Sequence, residues 1–175
     1  MKRLSTLLIA MVIMALVACE EETPVNRPTS AKMRSSMEDD VWMNQHTVIS
    51  GFGHTGSRCS KIDTTNRFSY GPCQTFKNID STFLPTRVNI NFWTLFKKTG
   101  ITTNLVISID NNGKNIFWAG LDLKDQVKKA DEWTNINAAY TLPADIKPDD
   151  RISIYVWNPN NNIAFVDDFD VEFQK

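Results

Sequence analysis

Cysteine, histidine and net charge are all scarce in this chain: 3 Cys and 2 His in 175 residues, with 19 Lys and Arg against 20 Asp and Glu. Without a basic stripe to neutralise phosphates, nucleic acid is excluded as a partner. His46 and His54 flank a Val48-Ile49-Ser50-Gly51-Phe52-Gly53 run with no HxxxH spacing and no second ligand cluster, so neither suggests a catalytic metal. Ser57 and Ser60 follow His54 but form no nucleophile elbow. Asp145, Asp149 and Asp150, the nearest approach to a carboxylate pair, sit in a Pro-containing connection where they read as turn formers. No catalytic residue is expected. Long apolar runs are lacking too: the longest, Leu7 to Val17, is about 11 residues against the roughly 20 a spanning helix needs.

What is present begins with that run. Lys2 and Arg3 precede it and Leu16-Val17-Ala18-Cys19 follows it, so residues 1–18 read as an export signal outside the fold. The Leu-Val-Ala-Cys ending resembles the lipobox of bacterial lipoproteins, which implies that Cys19 is the lipidated first residue and the chain's anchor to a membrane. Glu20-Glu21-Glu22 resembles the surface-export signal of Bacteroidetes lipoproteins, which implies the outer membrane and the cell surface. Residues 19–37 are polar, with two prolines and no apolar period, and are expected to be a flexible tether. Residues 38–175 are then one domain, and without the signal the net charge is about −3. Cys59 and Cys73 leave the cytoplasm with it, where thiols can pair. A hairpin turning at residues 63–66 would set them opposite one another. Two separate buried thiols are the alternative, and the compartment favours the disulfide.

From residue 38 onward, short alternating runs bounded by turn residues replace any helical period, apart from a possible turn at residues 124–132. Arg87 to Phe96 is the clearest strand, and Asn112-Gly113 between two further runs is a hairpin signal. About nine or ten such runs in a domain of this size predict two packed antiparallel sheets, an all-β sandwich of the jelly-roll type. The last run, residues 163–173, raises a problem. Strict alternation puts Asp167 in one row with Phe165, Phe169, Val171 and Phe173, aiming a carboxylate inward. An unpaired buried charge is costly. Asp168, Asp170 and Glu172 fall on the solvated side.

Three short motifs bear a resemblance to carbohydrate-binding modules of the galactose-binding-like jelly-roll type: Met37-Glu38-Asp39-Asp40 with Trp42, His54 to Ser60, and Phe165-Val166-Asp167-Asp168-Phe169. The resemblance spans residues 38–173 through these motifs, with Arg58-Cys59 departing from the Lys and Tyr common in the family. It implies a structural calcium joining the first and last strands, with Asp167 and Glu38 as its side-chain ligands and loop carbonyls completing the set.

Sugar recognition needs flat apolar faces for C–H groups and planar hydrogen-bonding side chains for hydroxyls. The outward rows Arg87, Asn89, Asn91 and Trp93 on one strand, and Ser153, Tyr155 and Trp157 on another, have that composition. Arg87, Asn89, Asn91, Trp93, Tyr155 and Trp157 are therefore the candidate ligand-binding residues, although alternation leaves open whether the two rows share a sheet. Trp42, Trp118 and Trp133 are expected in the core. The expectation is a surface lipoprotein that binds a polysaccharide or other glycan without cleaving it. The alternative is an accessory subunit whose aromatics meet an outer-membrane protein.

Overall fold

A computed structural model describes residues 29–39 and 42–175. The expected signal segment, Cys19 and the first part of the tether lie outside these residues. Ten strands follow in order: β1 (Ser30–Ser35), β2 (Val48–Ser50), β3 (Arg58–Ile62), β4 (Cys73–Thr75), β5 (Arg87–Phe96), β6 (Asn104–Asn111), β7 (Lys114–Asp122), β8 (Thr134–Thr141), β9 (Arg151–Trp157) and β10 (Ala164–Gln174). One sheet has the order β2-β3-β10-β5-β8, with β1 joining β10 beyond the end of β3. The other has the order β4-β9-β6-β7, and all pairings are antiparallel. The all-β jelly-roll sandwich expected from the runs is the fold.

Alternation builds the core from both sheets. Val88, Ile90, Phe92 and Phe96 of β5 and Ile136 of β8 face Leu105, Ile107 and Ile109 of β6 and Ile152, Ile154 and Val156 of β9, all buried in one cluster. Trp42 is buried there as expected, stacked on Tyr70 at 5.7 Å. The β6–β7 hairpin turns on Asn112 (φ 48°) and Gly113 (φ 80°), both in the left-handed region that a tight primed turn requires.

Two expectations fail on topology. The tether was expected to reach residue 37, but Ser30–Ser35 is a strand paired with residues 169–174 of β10. Its alternation is carried by small signals: Ala31, Met33 and Ser35 turn inward while Lys32 and Arg34 stay exposed. The Cys59–Cys73 disulfide does not form, and both thiols are free. The turn at residues 63–66 does exist, with Asp63 Oδ1 accepting the amides of Thr65 and Asn66 at 2.9 and 3.0 Å. The chain then crosses to the other sheet instead of returning: β3 pairs with β2 and β10, whereas β4 pairs with β9. Burial, with the charge of Asp167 adding to it, pushes the Cys59 thiol up to about 12, so it behaves as a small hydrophobe.

Candidate functional site

The first sheet's outer face carries β1, β10, β5 and β8 side by side. Register places Arg87, Asn89, Asn91 and Trp93 opposite Thr141, Ala139, Asn137 and Asn135 on one side and opposite Gln174, Glu172, Asp170 and Asp167 on the other. The Asn91 side-chain amide donates to Asn135 Oδ1 at 2.8 Å and Asn137 Oδ1 at 2.7 Å, and Asn135 Nδ2 donates back to Asn91 at 3.2 Å. Arg34 pairs with Asp170 at 2.9 Å and Lys32 with Glu172 at 3.4 Å, forming the β1 wall. Two adjoining cavities of about 460 and 530 Å³ share Asn91 and Asp170, which makes one trough from Ala139 past Trp93 to His54. Its floor is planar amides, and its charges occur in pairs of opposite sign along β1 and β10.

The inward carboxylate finds its explanation in a bulge. Between Asp167 and Asp170 the β10 register slips against β5, and Asp168 takes φ 52°. The extra residue reverses parity: Ala164 and Val166 before it, and Phe169, Val171 and Phe173 after it, line the main core. Phe165 instead joins Cys59 and Leu95 in a small cluster on the outer face. Asp167 shares that outer parity and is fully buried beneath the loop at residues 51–57. Its Oδ2 accepts the amides of His54 (2.7 Å) and Thr55 (3.3 Å), and its Oδ1 that of Asp168 (2.8 Å). Burial raises its pKa to about 6, the His54 amide pulls the other way and the Asp168 charge raises it further. Asp168 is not a free surface charge: it bonds His54 Nδ1 and Thr55 Oγ1, each at 2.6 Å.

Glu38 holds the same loop from its far end, its Oε1 accepting the amides of Ser57 (2.8 Å) and Arg58 (3.0 Å). The two acids that the resemblance assigns to calcium thus converge on one loop, from the beginning and the end of the domain. Amide hydrogens are what these oxygens face. Among the described residues no three His, Cys, Asp or Glu side chains gather as a metal site. The loop so held lays Phe52 edge-on against Phe165 (4.9 Å) and stacks His54 on Trp93 at 3.8 Å and 15°. Trp93 therefore offers the trough one free face and not two. Trp133, half-buried in the same outer cluster, lies outside the main core where it was expected.

Tyr155 and Trp157 do face outward, but from β9 in the other sheet, so the six candidate residues are divided between opposite faces of the sandwich. Trp118, expected in the core, is 52% exposed on the Tyr155 face. Residues 117, 119 and 121 of β7 pack inward, which leaves Ile116, Trp118 and Gly120 outside. Sequence reasoning also missed Asn137 and His54 as trough residues and Asn135 as the side chain that bonds Asn91. The alternation of Asn135 and Asn137 in residues 134–141 mirrors that of Asn89 and Asn91 and was the available signal.

No family model matches this chain, and no curated protein matches it. Among solved structures it is similar to the CBM22-1 xylan-binding domain of Paenibacillus barcinonensis Xyn10C, with 14% identity and a TM-score of 0.50 over 82% of this chain and 94% of that one. It is also similar to the N-terminal CBM22-1-CBM22-2 tandem domain of the same protein (19%, TM-score 0.56), covering 84% of this chain and 51% of the tandem. A third is the CBM22-1-GH10 modules of a Clostridium thermocellum endo-1,4-beta-D-xylanase complexed with xylohexaose (15%, TM-score 0.50), covering 84% of this chain and 26% of that one. At these identities the likeness is one of fold: the sandwich has the architecture of a carbohydrate-binding module.

Proposed function

We propose that this chain is a glycan-binding lipoprotein that holds a polysaccharide without cleaving it. The trough on the first sheet is the site, and the observation that carries the reading is its floor. Asn89, Asn91 and Asn137 present planar amides along two adjoining cavities, with Asn135 bonded to Asn91 beside them and Trp93 lining the second cavity. Amides that bond one another can exchange those bonds for sugar hydroxyls at small net cost, and an indole face accepts the C–H side of a pyranose. The paired charges at the wall, together with Asp168 and Asp39, give no net positive field to attract an anionic glycan. The ligand class is therefore a neutral polysaccharide chain. A xylan-binding domain and a xylohexaose complex among the solved structures of this fold make xylan the first probe.

Attachment through a lipid on Cys19 would hold the domain at the outer membrane and present the chain to other proteins at the cell surface. Isothermal titration of the mature domain with xylohexaose, alongside depletion assays on a panel of polysaccharides, tests the trough. Binding that weakens in Asn91→Ala and Trp93→Ala supports it. A stable co-purifying outer-membrane protein with no glycan binding would replace it with the accessory-subunit role. Cys19→Ala is expected to move the protein from the membrane fraction to the soluble fraction.

A further inference from the structure

The second sheet's outer face concentrates apolar surface. Phe68 (47%), Ile116 (41%) and Trp118 (52%) are three of the five large apolar side chains that stand exposed among the described residues. From this face we infer a second glycan site, a stacking platform built on Trp118 and Tyr155 that binds a neutral polysaccharide independently of the trough. The inference rests on the reading of the chain as a glycan binder.

The orientation of Trp118 is the first argument. A Cβ on Gly120 would stand 2.7, 3.2 and 3.3 Å from three atoms of its benzo ring. The benzo ring therefore lies over Gly120 on the outer surface of the sheet, with about half of the side chain open to solvent, and a larger residue at position 120 would displace it. Rigidity is the second. Register aligns Tyr155, Val106 and Gly120 across three strands, which sets Tyr155 beside the ring of Trp118. Phe68 meets Tyr155 edge-on at 5.6 Å. Val106 belongs to the outer row of β6 and is nevertheless fully buried beneath this layer. A ring already fixed in place loses little entropy when a ligand lands on it.

The margin of the platform decides the occupant. Ser108 lies directly across from Trp118. Asn115 donates to Ser108 Oγ at 2.8 Å, and Ser108 Oγ reaches Asp110 at 3.3 Å. A hydroxyl, an amide and a carboxylate beside a half-exposed indole are the groups that accept and donate to sugar hydroxyls while the ring takes the C–H side. Interface anchors for a protein partner instead insert into desolvated pockets, whereas this indole rests on the open surface of a sheet. The Asp110 carboxylate at the margin disfavours anionic glycans, as the charges of the trough do. Because the two sites lie on opposite faces, one chain cannot occupy both, and the domain is able to hold two.

The test compares Trp118→Ala, Asn91→Ala and their combination in the mature protein. Depletion from suspensions of insoluble xylan reads both sites, and calorimetric titration with xylohexaose reads stoichiometry. The expected results are two xylohexaose molecules per parent domain and one per single variant. Insoluble-xylan affinity should fall at least tenfold in Trp118→Ala, with residual binding abolished in the double variant. Trp118→Leu keeps an apolar side chain over Gly120 without a stacking face and must lose as much binding as Trp118→Ala. Trp118 variants that bind like the parent while Asn91→Ala alone abolishes binding overturn the platform and leave the trough. A Trp118-dependent dimer in sedimentation with unchanged glycan binding also overturns it. Absence of any glycan binding by the parent removes the trough reading as well.

Discussion

The two outer faces of this sandwich are made from the same kind of alternating strand, and they differ in what covers them. Over the first sheet a loop is pinned at both ends by carboxylates, Glu38 and Asp167, and the open part of the face is a network of amides and ion pairs that already satisfy one another. The second sheet has aromatic rings lying directly on its strands, with Phe68 and Trp118 left half exposed. A ligand entering the trough exchanges hydrogen bonds, so selectivity there depends on geometry. A ligand on the platform gains by covering apolar area, which is less selective and closer to additive. One fold can thus present a discriminating face and a permissive one, depending on whether a loop or a ring covers the sheet.

The largest expected effect tests what the faces share. Phe169 follows the bulge, stacks on Phe92 at 5.1 Å and meets Trp42 edge-on, directly beneath the trough. Phe169→Ala should cost about 3–5 kcal/mol of stability, and chemical denaturation should show a lower midpoint with glycan binding lost on both faces together. Survival of platform binding in the folded fraction would show that the faces are less coupled than one shared core implies. Next comes a change confined to one face. Asn91→Ala strands the Asn135 and Asn137 side chains that share its amide, at about 1–3 kcal/mol. In titration calorimetry the trough should weaken by roughly 30-fold, a loss of about 2 kcal/mol, while Trp118-dependent binding is unchanged.

Much of this architecture was legible in the sequence. The number and spacing of alternating runs, the Asn112-Gly113 turn and the outward rows of β5 and β9 all appear where periodicity puts them. What was not legible follows from features that alternation does not encode. The bulge at Asp168 reverses parity halfway through β10, so Phe165 and Phe169, four residues apart, face opposite ways. The outward direction of Trp118 was hidden because apolar residues occupy both parities of β7. Its parity mates Gly120 and Asp122 carried the correct signal with less hydrophobic weight. Which sheet a strand joins is set by long-range pairing, and for that reason a correctly placed turn at Asp63 led to a wrong disulfide. His54 was dismissed as a solitary histidine, since nothing local announces that Asp167 and Asp168 come to it across 113 residues or more.

Asp167 yields a smaller effect with a definite sign. Its folded-state pKa of about 6 stands above its ordinary value of 3.8. The stabilisation linked to its protonated form is therefore complete below pH 3.8 and is lost as pH rises through 6. Between pH 7.5 and pH 5 the domain should gain about 1.4 kcal/mol from this group. Asp63 and Asp80 are shifted the opposite way, mainly by the Asn66 amide and by the Thr82 hydroxyl respectively. Their contributions are lost only as pH falls below 3.8, so the window at pH 5 reports Asp167. Urea titrations at the two pH values should show the gain in the parent and a flattened dependence in Asp167→Asn. An unchanged slope in that variant would place the burial cost elsewhere in the loop.

The smallest expected effect concerns the trough wall. Lys32 and Glu172 form an ion pair at 3.4 Å with side chains 51% and 26% exposed. Such exposed pairs contribute between nothing and about 1 kcal/mol, and salt screens them. Lys32→Ala should leave the denaturation midpoint nearly unmoved, and in a neutral-glycan trough it should leave affinity within about twofold at any ionic strength. The value of the measurement is in its exception. If Lys32→Ala weakened binding strongly at low salt and not at high salt, the lysine would be attracting a charged ligand. The contrast between the faces would then be one of charge, with an anionic glycan in the trough and a neutral one on the platform.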